Sequence, residues 1–266
     1  MTRYVAILSG KGGVGKTTTA VNLGVALRNA NANVVVVDTN LSTPNVALQL
    51  GFPPRPTNIH SILRGEVSVE DAVCKHSSGL DVIQAGISLA DAGDRTLADF
   101  REALAPLAES HDIVLLDCAA GLWGNVRKSV EAADEVLLVT NPELPALVDA
   151  LKAVKIAEKY KKKVLGIVVT RVTGARHELK DSAITGILRN YPIIAKIPFD
   201  ENVRRSQYYR KPVVTYKPNS ASSRAYKKLA AHFLGEEYTE SPVYKLNDYL
   251  RYGGLNGNNG GNNNKE

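Results

Sequence analysis

The chain has 266 residues, 44% hydrophobic and 23% charged, an ordinary globular composition with enough length for one large core, so one main domain is expected. The net charge of +6 is compatible with nucleic acid or an anionic membrane surface, yet too modest to call for either. Two cysteines, Cys74 and Cys118, give neither a disulfide framework nor a Cys-x-x-Cys metal site, and no apolar stretch approaches the roughly 18 residues of a membrane span.

The N-terminus shows no leader pattern, because Met1-Thr2-Arg3-Tyr4 runs straight into a short apolar stretch that ends in glycine. A soluble protein of a reducing cytosol is therefore expected. Short β-branched runs recur at Tyr4–Leu8, Val34–Val37, Leu80–Ile83, Ile113–Leu116, Val136–Val139, Val164–Val169 and Ile193–Ile197. Near-continuous apolar runs of this kind predict strands buried on both faces. Between them, helical spacing covers Thr18–Asn29, Leu97–Glu109, Leu144–Tyr160, His177–Asn190 and Ser220–Leu234. The alternation predicts an α/β fold, a mostly parallel twisted sheet with helices on both faces. Ligands in such folds sit at the carboxyl ends of strands. Ser9–Thr18, Asp38–Asn45, Asp117–Gly121, Asn141-Pro142 and Pro198–Asn202 all follow predicted strands, so they should converge on one site.

The segment Gly10-Lys11-Gly12-Gly13-Val14-Gly15-Lys16-Thr17 satisfies the phosphate-loop pattern G-x-x-x-x-G-K-[ST] between a strand and a helix. Its glycines let backbone N–H groups turn toward phosphate oxygens, and the helix behind it presents its positive end. Lys16 would neutralise the β/γ-phosphates, and the Thr17 hydroxyl would ligate Mg²⁺.

The run Lys11-Gly12-Gly13-Val14-Gly15-Lys16-Thr17-Thr18 resembles the deviant signature of the MinD/ParA ATPases, particularly archaeal MinD-like members. The resemblance covers residues 3 to 234. Val37-Asp38-Thr39-Asn40 is similar to the family's switch I strand end, Leu115-Leu116-Asp117 to its Walker B strand, and Asn141-Pro142-Glu143 to the segment after the next strand. Arg204, Lys211-Pro212-Val213-Val214 and Pro218-Asn219-Ser220 resemble the C-terminal stretch of the MinD branch. The resemblance implies ATP and Mg²⁺ as ligands and a homodimer with ATP sandwiched at its interface. In family dimers the early lysine reaches the nucleotide of the opposite subunit, a role that falls here on Lys11. Catalysis is thus assigned to Lys11, Lys16, Asp38 and Asn40, the metal to Thr17, Asp38 and Asp117, and nucleotide contacts to Gly10–Thr18, Thr170 and Pro198.

Three positions depart from the family pattern. Asn40 stands where a second carboxylate usually contacts the attacking water, so turnover is expected but slow. Cys118-Ala119-Ala120-Gly121 lacks the proline usual after the Walker B strand. Thr170-Arg171 replaces the Asn-Arg usual near adenine, which makes base selectivity less secure than phosphate binding.

Other residues have competing readings. Asn45 could belong to the site or only to a loop, with Thr43-Pro44 as an N-cap and first-turn proline. Cys118 invites an iron–sulfur reading, but a shared cluster needs two cysteines per chain on neighbouring loops, and Cys74 lies in an unrelated segment. His60, His76, His111, His177 and His232 share no metal-ligand spacing and are expected on surfaces or loops. Trp123 could serve a partner or pack on a helix. Lys159-Tyr160-Lys161-Lys162-Lys163 reads as a helix end favoured by the macrodipole rather than a nucleic-acid site. Tyr238, Tyr244, Tyr249 and Tyr252, with Val243, Leu246 and Leu250, suggest a short amphipathic helix that would dock on membrane or pack on the body.

The expected organisation is an ATPase domain over 1–235, a tyrosine-containing extension over 236–252 and a disordered Gly/Asn tail over 253–266. The leading function is an ATP-dependent dimerising switch that positions or regulates an unidentified protein partner, in the manner of cell-division regulators. The alternatives are a bacterial-type tyrosine kinase using the C-terminal tyrosines, or an ATP-bound scaffold with negligible hydrolysis.

Overall fold

All seven predicted runs form strands in the computed structural model, which describes residues 1–86, 99–121 and 125–239. They are β1 (Arg3–Leu8), β2 (Val34–Asp38), β4 (Asp81–Ile83), β5 (Ile113–Asp117), β6 (Glu135–Thr140), β7 (Lys163–Val172) and β8 (Ile193–Pro198). A two-residue strand, β3 (Cys74–Lys75), escapes the sequence reading because two residues carry no periodicity. The sheet order is β3-β4-β2-β5-β1-β6-β7-β8, parallel except where β3 runs against β4.

Alternate residues of β1, β2, β5 and β6 feed opposite cores. On β1, Tyr4, Ala6 and Leu8 pack on one side, and Val5 and Ile7 on the other. This two-sided burial is why the strands read as unbroken apolar runs. Helices Lys16–Asn29 and Ala221–Leu234 cover one face, where fully buried Leu23 and Leu27 each contribute about 1.5–3 kcal/mol. Helices Asn125–Ala132 and Leu144–Lys159 cover the other. The last helix starts at Ser220, whose hydroxyl caps the Ser223 N–H, and stops at Gly235 in the left-handed region.

Two predicted helices are shorter than expected. Over Leu97–Glu109 the described part splits into an α-turn at Phe100–Ala103 and a 3₁₀ segment at Ala105–Glu109. Pro106 is the cause, since it disfavours α geometry at Ala105 and lacks an N–H. Over His177–Asn190 only Asp181–Ile187 is α-helical. Upstream, the Glu178 carboxylate takes the N–H groups of Thr173 and Gly174 and holds that stretch as a turn. Trp123, Tyr244, Tyr249 and Tyr252, the amphipathic segment and the Gly/Asn tail lie outside the described residues.

Candidate nucleotide site

The phosphate loop leaves β1 and turns directly into the helix Lys16–Asn29. Gly15, with φ 91°, occupies the left-handed position at the helix start, which a side chain would strain. Gly10 is confined differently: a Cβ there would lie 2.0 Å from the backbone carbonyl of Asp149. The loop backbone therefore rests directly on the helix Leu144–Lys159. Thr170 supports it from below, its hydroxyl lying 2.5 Å from the Val14 carbonyl and 3.2 Å from that of Thr140.

Above the loop lies a cleft of about 300 Å³, its wall including Gly12, Gly13, Gly15, Lys16, Thr17 and Thr18. Val14 instead turns its side chain into the core, and Gly10 is spent on the helix contact. Lys11 is exposed and off the cleft wall. Of the expected loop contacts Gly10–Thr18, those three do not line the cleft.

Parallel pairing of β2 with β5 sets Asp38 and Asp117 side by side at the strand ends. Asp117 receives the Lys16 ammonium at 2.6 Å and the Thr17 hydroxyl at 2.6 Å. Burial is the largest single influence on Lys16 and opposes its charge. The charge and hydrogen bond of Asp117, with smaller help from Cys118 and Asp38, outweigh it and hold the ammonium above its usual range. The pair is almost fully buried, which favours neither charge without the other.

Asp38 is placed differently from the expectation. It is fully buried and off the cleft wall. One oxygen accepts the Asn40 N–H at 3.0 Å, the other the Asn45 and Val46 N–H groups at 2.9 and 3.0 Å. In this geometry it caps the helix Val46–Leu50 and shapes the switch loop. Burial, reinforced by the charge of Asp117, raises its carboxyl well above the usual range against the pull of those three donors. The expected N-cap at Thr43 is accordingly not formed: Asn45 holds the cap position and makes no side-chain cap bond.

Asn40 and Asn45 both reach the cleft wall. The Asn40 amide is nevertheless engaged at both ends, donating to the Thr43 carbonyl at 2.6 Å and accepting from the Thr43 N–H at 3.2 Å. The Asn45 side chain donates to the same Thr43 carbonyl at 2.7 Å. Both amides close the loop, so Asn40 would have to give up a Thr43 bond to hold a water.

A second cavity of about 380 Å³ continues from the cleft between the ends of β7 and β8. Its wall includes Thr170, Ile197, Pro198, Phe199, Val203 and Tyr226. Thr170 and Pro198, both expected to contact nucleotide, line this cavity rather than the cleft, and the Thr170 hydroxyl serves the loop. Arg171, at the same strand end, adopts a left-handed φ of 56° and lines both cavities.

The remaining candidates fall away from this centre. Cys118 is fully buried, and burial pushes its thiol up to about 12, opposite to what a cluster thiolate requires. Cys74 sits on β3, with β4 and β2 between it and β5. Among the described residues no group of His, Cys, Asp and Glu forms a metal cage. The expectation of histidines on surfaces or loops needs correction for His60, which is buried inside the helix Ile59–Leu63, whereas His76 and His111 lie in loops but are themselves buried. Burial is affordable for His111 through Asp81 at 3.3 Å and for His76 through Ser78 at 2.8 Å. The basic run ends a helix as predicted: Lys162 donates to the Glu131 carbonyl and Lys163 to the Glu135 carboxylate. Sequence reasoning missed Gln207 and Gln49, two cleft-lining amides on short helices without any motif.

This geometry has counterparts in known proteins. Residues 5–213 match the CobQ/CobB/MinD/ParA nucleotide binding domain. An uncharacterized ATP-binding protein of Methanocaldococcus jannaschii is 33% identical over 246 residues, covering 92% of this chain and 93% of the relative. Among solved structures, the cell division ATPase MinD of Pyrococcus furiosus superposes with a TM-score of 0.83 at 32% identity, covering 88% of this chain and 99% of that one. The septum site-determining protein MinD of Pyrococcus horikoshii, complexed with Mg-ADP, gives a TM-score of 0.82 at 30% identity, with 88% and 96% covered. The loop, its paired lysine and aspartate and the extent of these matches agree, and the chain belongs to the CobQ/CobB/MinD/ParA family of nucleotide-binding domains.

Proposed function

We propose that the chain is an ATPase that binds ATP with Mg²⁺, dimerises around the nucleotide and hydrolyses it slowly, so acting as a switch on a protein partner. The observation that carries this is the arrangement around Asp117. Lys16 and Thr17 both meet its carboxylate at 2.6 Å at the floor of a glycine-walled cleft, while the second loop lysine, Lys11, stands exposed outside it. Lys16 can exchange its carboxylate partner for phosphate oxygens. Thr17 and Asp117 offer a hydroxyl and a carboxylate oxygen, hard donors suited to Mg²⁺, which takes few protein ligands beside phosphate and water. When bound, the ion neutralises charge building on the transferred phosphoryl group. Those two residues would hold it. Lys11 has no task at its own cleft wall, which supports a role at the cleft of a second copy.

The names of the Pyrococcus relatives, septum site determination and cell division, support spatial regulation as the process served. The helix stop at Gly235 supports an ATPase domain over 1–235. Among the described residues no helix is long and apolar enough to cross a membrane.

The test is phosphate release against protein concentration, with mass by light scattering in ATP·Mg²⁺ and in ADP. Activity per chain should rise with concentration, and the ATP state should have twice the monomer mass. A monomer in every state with constant specific activity would overturn the dimeric switch; radiolabel moving from ATP to the protein would favour a kinase instead.

Asn40→Asp tests the switch loop. A carboxylate cannot donate to the Thr43 carbonyl 2.6 Å away, so stability should fall by about 1–3 kcal/mol. If the side chain also aligns the attacking water, single-turnover hydrolysis at saturating ATP should rise, because the change acts on the transition state. We expect both effects, read by denaturant melts and quench-flow. A loss of stability with an unchanged rate would make Asn40 a loop-closing residue only.

A further inference from the structure

The phosphate cleft and the cavity beyond it differ in chemistry and share a wall. The cleft carries Lys16 and Thr17, whereas the second cavity adds Ile197, Pro198, Phe199, Val203 and Tyr226 to its wall, with Asp200 and Arg204 as its own charged groups. Gly15, Thr18, Arg171 and Gln207 line both. A nucleotide laid along the two, triphosphate in the polar cleft and base in the second cavity, must pass its sugar and α-phosphate between these residues. Arg171 is the charged group at this waist and suits the phosphate. Gln207 is the neutral amide there, with both a donor and an acceptor, and the Thr18 hydroxyl beside it already accepts from the amide.

We propose that Gln207 recognises a hydroxyl of the ribose, so that the site prefers ribonucleotides to deoxyribonucleotides. The inference rests on the nucleotide reading above and names a contact which that reading does not contain. Gln207 Nε2 donates to the Thr18 hydroxyl at 3.0 Å. This bond fixes the amide against the first turn of the phosphate-loop helix. Among the described residues none donates to its Oε1, which remains able to accept from a sugar hydroxyl. The support behind the amide is itself tied down. Thr18 O accepts from Asn22 Nδ2 at 2.8 Å, and Asn22 Oδ1 accepts the Val214 N–H at 3.2 Å. The P-loop helix thus holds both Gln207 and the chain just beyond it. An acceptor fixed in advance loses little freedom when a hydroxyl meets it. Because Gln207 is exposed in the free wall, its discrimination should be modest, roughly three- to tenfold for one neutral hydrogen bond.

Calorimetry on the full chain with ATP, 2′-deoxy-ATP, 3′-deoxy-ATP and tripolyphosphate, all with Mg²⁺, tests this. Wild type should bind at least one deoxynucleotide roughly three- to tenfold more weakly than ATP. Gln207→Leu should bind ATP as weakly as that deoxynucleotide, with tripolyphosphate affinity and melting temperature unchanged. Equal wild-type affinity for all three nucleotides would overturn the proposal. Parallel loss of ATP and tripolyphosphate binding in Gln207→Leu would overturn it too, because the Thr18 bond would then serve only the loop. A wild type that binds tripolyphosphate but no nucleotide, or neither, removes the nucleotide reading itself and the ribose contact with it.

Discussion

Lys16→Ala should weaken ATP binding by about two orders of magnitude. Its ammonium is the cleft's buried cation, and truncating one partner of a buried, hydrogen-bonded charge contact between binding partners costs about 2–5 kcal/mol or more, where each 1.4 kcal/mol is a factor of ten. The same reasoning warns of a second effect. Asp117 is 1% exposed at its side chain and would lose its cation with Asp38 on the neighbouring strand, so Lys16→Ala should also lose stability. Lys16→Gln separates the two. It keeps a donor for Asp117 and should fold more nearly like wild type, yet carries no charge for phosphate. Isothermal titration of both variants beside their melting curves reads the outcome. Wild-type affinity in either folded variant would show that phosphate binds elsewhere.

Lys11→Ala should have the opposite profile. The side chain is exposed and away from the cleft wall, so ATP affinity should stay within about tenfold of wild type. Turnover should fall by about a thousandfold, the lower range for a cation supplied in trans to a phosphoryl transfer, and ATP should no longer produce a dimer. Charge delivered by a second copy acts only in the assembled state, and so is invisible to binding by one chain. Steady-state phosphate release and light scattering suffice as measurements. A variant that dimerises and turns over normally would remove Lys11 from the reaction.

What could be read from the sequence follows from how each feature is encoded. β1, β2, β5, β6 and the centre of β7 are buried on both faces, which forces continuous apolar runs that stand out from their surroundings, while the half-buried edge strand β8 keeps enough apolar residues to be read as well. The phosphate loop is equally legible, because glycine, lysine and threonine at fixed spacing answer one chemical need. Asp38 shows the limit. Its identity is plain from the strand end, but its task is set by backbone N–H groups seven and eight residues on, and nothing in the side-chain pattern announces them. The helices Val46–Leu50, Ile59–Leu63 and Val69–Ala72 are too short for a periodic signal and exist through caps and tertiary packing. Gln207 was missed for the same reason, since its place at the waist depends on Thr18, far away in the chain and adjacent in space.

The position of β1 in the sheet also fixes when the molecule can begin to exist. Although made first, β1 pairs with β5 and β6 and never with β2, its neighbour in sequence. A nascent chain therefore carries its glycine loop without a strand partner until residues up to Asp117 have left the ribosome, without the second partner until Thr140, and without the Asp149 contact and Thr170 support until still later. At ordinary elongation rates that interval is on the order of ten seconds. Long-range closure of this kind also slows folding from the denatured state. The apolar β1 and β2 must stay unaggregated throughout, which makes the first 110 residues the stretch where chaperone protection during synthesis would matter most.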